Sequence, residues 1–313
     1  MKKVLIIDKM HDSISSMLEE IGYVPTYSPD ITRKEILEII GGFDGIIIRS
    51  KTSIDKELLD RGSHLKFIAR AGAGIDQIDI DEVNNKGIKL FNAPEGNRDA
   101  LGEHAVGLLL ALTNNIVKAD KEVREFIWDR EGNRGHEIGS LTIGLFGYGN
   151  MAEAFAQRLS GFGCEILAYD KFKTGYSDDF VKEVTLDDLQ KRSDVLSLHT
   201  PLTALTKGFI NKDFIEMFQK DIWLLNTSRG EVVSVEDVLS LLKSGKIKGA
   251  ALDVLEKEKF MLLDEHETKM YNSLFEQANV ILSPHVAGWT FESYRKINEV
   301  LIDKIKRNDA LLC

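Results

Sequence analysis

Short apolar runs rich in β-branched residues recur from the N-terminus onward: "KVLIID", "YVPTYS", "GIIIRS", "LKFIAR" and "IKLFN". Runs of this kind predict strands, and the stretches between them, such as 12–21 and 32–40, carry apolar residues three and four apart and predict helices. The alternation predicts parallel β-α-β units and a sheet covered on both faces. From 99 to about 128 the beat is interrupted by a pattern that predicts one long helix. Its run "AVGLLLALTNNIV" is apolar on more than one face, which marks either an inter-domain or inter-subunit seam or a helix central to one domain. Alternation resumes with "LTIGLF" at 141–146 and continues through "EILAYD", "DVLSLH", "IWLLN", "IKGAALDV" and "NVILSP". Six such runs match the doubly wound nucleotide-binding sheet. The acidic stretch 256–275 reads as a loop with a short helix, and the final pattern, "FESYRKINEVLIDKIKRN", as a helix that packs on the first half.

Length supports two cores rather than one, since 313 residues exceed what a single core organises. The formal charge of −10 is spread without long blocks of either sign, which argues against nucleic acid or an anionic membrane as a partner. The longest apolar run, 105–112, is too short to span a bilayer, and "MKKVLIIDKM" turns polar too soon for a signal peptide, so a cytoplasmic protein is expected. Cys164 and Cys313 stand far apart and the seven histidines are scattered, so neither a disulfide framework nor a metal site is expected.

Chemistry enters directly after "LTIGLF". Gly147, Tyr148, Gly149, Asn150, Met151 and Ala152 form a G-x-G-x-x-A dinucleotide fingerprint between a predicted strand and a predicted helix, the setting that gives the motif meaning. Gly147 supplies the tight turn, Gly149 lets the backbone approach a pyrophosphate, and Ala152 is small enough for helix to meet strand. The helix N-terminus offers free N–H groups and a positive dipole to the anion. The next predicted strand ends in Asp170, where an acid holds the adenosine ribose diol. A 2′-phosphate beside that carboxylate at 4 Å would be repelled by about 1 kcal/mol in water and about 4 kcal/mol at an effective dielectric of 20. NAD is therefore expected over NADP, with Lys171 and Lys173 partly offsetting the preference.

The fingerprint, "SDVLSLHTPLT" (193–203), "LLNTSRGEVV" (224–233), "GAALDVLEKE" (249–258) and "LSPHVAG" (282–288) together resemble the D-2-hydroxyacid dehydrogenase family. "RSKT" (49–52), "RAGAGID" (70–76) and "NAPEGN" (92–97) extend the resemblance over nearly the whole chain. It implies an α/β fold of two doubly wound, Rossmann-like parallel sheets. A flavodoxin-like substrate domain of 1–97 plus 290–313 would carry an inserted NAD domain of 98–289, and the long helix would join a homodimer. The implied reaction is hydride transfer between NAD(H) and a 2-hydroxy or 2-oxo acid. The resemblance maps the family's catalytic trio onto His285 as proton shuttle, Glu258 as its orienting acid and Arg229 as clamp on the substrate carboxylate. The residue types suit these parts, because an imidazole titrates near neutrality, a hydrogen-bonded carboxylate orients it and favours its charged form, and a guanidinium offers a rigid fork of donors. Lys259 stands where the family usually has a proline, which leaves Glu256 as an alternative acid.

The resemblance also implies that His199, Thr200 and Pro201 line the adenosine side, that Thr227 contacts cofactor, and that Asp253 holds the nicotinamide amide. Backbone of the loop 71–74, with Ala73 and Gly74, would hold the substrate carboxylate. Arg49, Ser50 and Arg70 stand at the ends of predicted strands, where such folds bind ligands. The two arginines resemble the phosphate contacts of 3-phosphoglycerate dehydrogenases, with Ser50 a further substrate-binding candidate, implying 3-phosphoglycerate and 3-phosphohydroxypyruvate as the substrate pair. Salt bridges to neighbouring acids are the alternative for these arginines. Glyoxylate or hydroxypyruvate reduction is the rival within the class, and an NAD(H)-sensing corepressor the rival outside it. Two further positions depart from the family pattern: Gln77, where asparagine is common, and Trp289, where a small residue is frequent. Trp289 could narrow the pocket, cover the cofactor or anchor the last helix.

Overall fold

The computed structural model describes residues 2–310 and divides the chain into two compact units. One holds the residues up to Arg98 together with those from Trp289 onward; the other is Asp99–Gly288.

The first unit is built on five parallel strands, β1 (Lys2–Ile6), β2 (Tyr23–Tyr27), β3 (Gly45–Ile48), β4 (Phe67–Arg70) and β5 (Lys89–Asn92), in the order β2-β1-β3-β4-β5. Helices cover both faces. The last helix, Phe291–Ala310, buries Ile297, Leu301 and Ile305 in the same cluster as Val4, Ile14 and Leu18. β1 lies between β2 and β3, so the chain leaves it in opposite directions; ligands bind at such a switch point in open α/β sheets.

The second unit carries seven parallel strands, β6 (Thr142–Phe146), β7 (Glu165–Tyr169), β8 (Val181–Glu183), β9 (Val195–Leu198), β10 (Ile222–Asn226), β11 (Ile247–Leu252) and β12 (Val280–Leu282). Their order is β12-β11-β10-β9-β6-β7-β8, which puts the switch point between β6 and β9. Buried apolar side chains fill both faces, as a sheet wrapped on two sides requires. β8 is a seventh strand where the sequence pattern shows six. Only Val181 of its three residues is buried, too short a signal for a strand pattern.

The expected single helix over 99–128 is two: Pro94–Thr113 and Ile116–Arg124, bent by 59° at their junction. Asn115 takes a left-handed backbone there with φ of 55°, a conformation that asparagine adopts at low cost. Among the described residues no single helix is long and apolar enough to cross a membrane. Cys164 is a free thiol, and Cys313 lies outside the described residues.

Candidate active site

Parallel register lines up the carboxyl ends of the second sheet. Tyr169, Phe146, Leu198, Asn226, Leu252 and Leu282 form one row of partners from β7 across to β12. The residue following each is Asp170, Gly147, His199, Thr227, Asp253 or Ser283. Six positions scattered along the chain between Gly147 and Ser283 thus share one edge, because each follows a strand that the hydrophobic pattern defines.

At the switch point, Gly147 turns with φ of 90°, and a Cβ there would stand 2.9 Å from the His199 carbonyl oxygen. Gly149 caps the ten-residue helix Asn150–Leu159, and a Cβ on it would meet nothing within 4 Å. Open space over a helix N-terminus is what a pyrophosphate needs. Ala152 is fully buried, and Tyr148 packs its ring on Tyr176 at 4.7 Å, while Asn150 is exposed and Met151 half-buried. Burial pushes both tyrosine hydroxyls up to about 12. Thr200 Oγ1 and Thr227 Oγ1 are shut off from solvent without a hydrogen-bond partner among the described residues, as is His199 Nδ1. These are polar atoms of the kind a bound ligand satisfies. His199 Nε2 meets Ser197 Oγ at 2.9 Å, and burial drives its pKa down to about 3, so the ring is neutral. Pro201 is exposed beside them.

Asp170 accepts from the amides of Phe172 (2.8 Å) and Lys173 (3.0 Å) on one oxygen and from Tyr148 (2.8 Å) on the other. The second oxygen keeps one lone pair for a hydroxyl, and the carboxylate ties the fingerprint turn to the end of β7.

His285 and Glu258 stand together: Nδ1 lies 2.9 Å from Oε1 and 3.1 Å from Oε2 of the carboxylate, leaving Nε2 for another partner. Glu256, the alternative acid, is engaged elsewhere. Its Oε2 accepts from Val235 N at 2.7 Å, the first amide of the helix Val235–Ser244, and burial pushes its carboxyl upward. A cavity of about 470 Å³ in this unit is lined by His285 and Glu258 with Leu255, Phe260, Phe275, Leu282 and Pro284.

The loop bearing His285 is held by Asp253, 2% exposed. Its carboxylate accepts from Ser283 Oγ (2.6 Å) and from the amides of Val286 and Ala287 (both 2.9 Å). Three protein donors on this buried acid give it a loop-holding part that the resemblance does not imply for it. His285 itself has φ of 55°. His104, from the helix Pro94–Thr113, joins the group with Nε2 3.0 Å from Ser283 Oγ.

Arg229 follows β10 in a turn shaped by Asn226, which sequence reasoning passed over. Asn226 is 1% exposed; its Oδ1 accepts from Ser228 N and Oγ, and its Nδ2 donates to the Arg229 carbonyl at 3.0 Å. Arg229 Nη1 donates to the Ser228 carbonyl at 2.7 Å. Gly230 is pressed against the segment that leads to Glu258: a Cβ there would overlap the Leu255 carbonyl and stand 2.5 Å from Glu256 N. The signals for Asn226 and Gly230 were a polar side chain ending an apolar strand and a glycine directly after the arginine.

In the first unit, Arg49 follows β3 and its amide donates to Asp8 Oδ2 at 2.7 Å. Its guanidinium stacks on Trp289, with Cζ 3.9 Å from the ring centroid, and among the described residues no carboxylate lies within ion-pair distance of it. Arg70 folds its guanidinium over Gly72 and toward the Ala71 carbonyl at 3.5 Å. Ala73 presents its carbonyl to Asn92 Nδ2 at 2.8 Å, Gly74 is half-buried, and Ser50 is exposed. Among the described residues no group of three or more His, Cys, Asp or Glu could hold a metal ion.

The family model for the NAD-binding domain of D-isomer specific 2-hydroxyacid dehydrogenases matches residues 106–287. The hydroxypyruvate reductase of Thermotoga maritima is 34% identical over 303 residues, which span 97% of both chains. The D-3-phosphoglycerate dehydrogenase of Methanocaldococcus jannaschii is 32% identical over 98% of this chain, but the match spans only 57% of that relative's length. Among solved structures, the D-lactate dehydrogenase of Aquifex aeolicus complexed with NAD and lactic acid superimposes with a TM-score of 0.82 at 25% identity, covering 99% of this chain and 96% of that one. The chain belongs to the D-isomer specific 2-hydroxyacid dehydrogenase family. It is an NAD-dependent oxidoreductase acting on the hydroxyl group of 2-hydroxy acids.

Proposed function

We propose that the substrate carries a second acidic group beside its 2-oxo acid, and that the pair is 3-phosphohydroxypyruvate and 3-phosphoglycerate, a step of serine biosynthesis. The observation that carries this reading is Arg49. It stands at the β1–β3 switch point with a guanidinium that no carboxylate among the described residues meets at ion-pair distance. The competing account, a salt bridge to a neighbouring acid, is met only by Asp8, which binds the Arg49 amide and acts on the guanidinium from beyond ion-pair distance.

NAD(H) held at the edge formed by Gly147, Gly149, Thr200, Thr227 and Asp170 would supply the hydride chemistry. His285 Nε2 donates the proton that the carbonyl oxygen needs as charge gathers on it, and takes it back in the oxidative direction. Glu258 fixes the ring through Nδ1, keeping Nε2 aimed at the reacting oxygen. Arg229 clamps the substrate carboxylate, and Asn226 fixes the turn from which it projects. Gly147, Gly149, Thr200, Thr227 and Asp170 hold the dinucleotide; Pro201 and His199 border its adenosine, and Asp253 keeps the His285 loop in shape. The residues up to Arg98 with the last helix serve as substrate domain. The reading includes a cytoplasmic homodimer, whose contact we assign to the helix Ile116–Arg124 and the turn after it, where Val117, Val123, Phe126 and Trp128 expose apolar side chains.

A second reading, reduction of hydroxypyruvate or glyoxylate, draws support from the hydroxypyruvate reductase matched along nearly its entire length. The two are separated by NADH oxidation with phosphohydroxypyruvate, hydroxypyruvate, glyoxylate and pyruvate, beside a His285→Gln control. A preference for phosphohydroxypyruvate that vanishes in the control is expected. Preference for another oxo acid refutes the phosphate assignment, and NADH binding without turnover points to a sensor.

A further inference from the structure

We propose that Trp289 and Gln77 are positioning residues that hold the Arg49 guanidinium as a flat, ready receptor for the second acidic group of the substrate. The inference rests on the anion-binding reading of Arg49 given above and names the devices that make that arginine selective.

A free arginine side chain carries about 2 kcal/mol of rotamer entropy, which a binding event must overcome if the side chain is not already ordered. Arg49 is ordered from both ends. Its amide is tied to Asp8, two residues beyond β1, and its carbonyl accepts a hydrogen bond from Gln77 Nε2. At the far end, Trp289 lies 3.9 Å and Tyr294 5.6 Å from the guanidinium carbon. The two rings support each other at 4.9 Å, and Tyr294 meets His11 edge-on at 5.8 Å, so the aromatic floor is itself braced.

Stacking uses the face of a guanidinium and leaves its N–H donors in the plane, the edge that binds carboxylate or phosphate in a fork. Among the described residues that edge makes one long contact, from Nη1 to the Lys9 carbonyl at 3.4 Å. Partial burial works against the charged form and the charge of the nearby Asp8 works for it; burial is the larger effect, so a further anionic partner is still favourable to the cation.

Gln77 and Trp289 both depart from the family pattern, and the structure brings both to the same side chain. A packing anchor for the last helix would not require this. Trp289 is 44% exposed, and its aromatic partner Tyr294 shares the stack on Arg49.

The test compares Trp289→Leu, Trp289→Phe, Gln77→Ala and Arg49→Leu in the full-length enzyme, with kcat and KM measured for phosphohydroxypyruvate and for hydroxypyruvate. Loss of the stacked ring in Trp289→Leu should raise KM for phosphohydroxypyruvate about tenfold while kcat changes less than about twofold, the size of a partly desolvated cation–π contact. The ratio of kcat/KM between the two substrates then falls about tenfold. Trp289→Phe should recover most of it, and Gln77→Ala should lose about threefold in the same direction. If Arg49→Leu abolishes the preference but Trp289→Leu preserves it, the anion reading survives and the positioning proposal is overturned. If Arg49→Leu itself leaves the ratio intact, the anion reading falls and takes this proposal with it. Equal losses on both substrates in Trp289→Leu would also overturn the proposal, by marking the residue as structural.

Discussion

Gly230 joins the arginine turn to the acid-bearing segment, and replacing it with alanine tests whether that contact sets the active-site geometry. A methyl group there would overlap the Leu255 carbonyl and come within 2.5 Å of Glu256 N, both backbone atoms that no rotamer change can move aside. The segment must retreat by about 1 Å, and a misplacement of that size at a reacting centre costs about 10²-fold. Overpacking of a tight contact also costs about 1–3 kcal/mol of stability. In Gly230→Ala we therefore expect kcat/KM for the 2-oxo acid to fall about 10²-fold, equivalent to about 2.7 kcal/mol of transition-state binding. NADH affinity should fall far less than kcat/KM, since the fingerprint turn lies on β6 and Thr227 alone of the residues assigned to hold the dinucleotide shares the Gly230 turn. Steady-state NADH oxidation and NADH fluorescence titration on the same sample read both quantities. A variant that folds, binds NADH and keeps kcat/KM within about twofold of wild type would show that the two loops are not mutually positioned through Gly230.

Glu258→Gln and Glu256→Gln should behave oppositely. The first loses the charge beside His285 and should lower kcat about 10²-fold, whereas the second should retain turnover. Burial holds the Glu256 carboxyl above its ordinary value, so its contribution to stability is present at low pH and lost as pH rises through the raised value; Glu256→Gln at neutral pH should melt no lower than wild type. His199 gives the reverse sign. With a folded-state pKa of about 3, below the unfolded value of about 6.5, it leaves stability intact above pH 6.5 and erodes it as pH falls. The apo protein should lose up to about 2 kcal/mol between about pH 6.5 and 5, and His199→Asn should flatten that loss in urea unfolding. Sedimentation equilibrium should find wild type dimeric and a Phe126→Ser, Trp128→Ser variant shifted toward monomer; an unshifted variant would remove the assigned contact.

Much of this site was legible because strand ends are legible. Apolar runs such as "LTIGLF" and "IWLLN" mark where strands stop, and parallel register carries those stops into one row, so Gly147, Thr227 and Asp253 share an edge without any long-range signal. What stayed hidden depends on where side chains turn. Nothing in "LLNTSRG" tells which atoms Asn226 bonds, and the choice between Glu256 and Glu258 needed the backbone path between Leu255 and the helix Glu265–Phe275. Hydrophobic periodicity ran straight through Asn114 and Asn115, because a helix break leaves the apolar pattern on either side intact. The meeting of Arg49 with Trp289 joins residues far apart in the sequence, beyond the reach of any local pattern.

With the proton-transfer role proposed for it, the left-handed backbone of His285 sets folding and turnover against each other at one residue. Glycine or asparagine accepts that conformation more readily than an imidazole-bearing residue, which costs on the order of 1 kcal/mol. A survey of variants scored for thermal survival alone would accordingly drift away from histidine here, while one scored for product formation would restore it. On the proposed role, the position gives up robustness for chemistry, and the buried carboxylate of Asp253, with its grip on the following two amides, is what makes the concession tolerable.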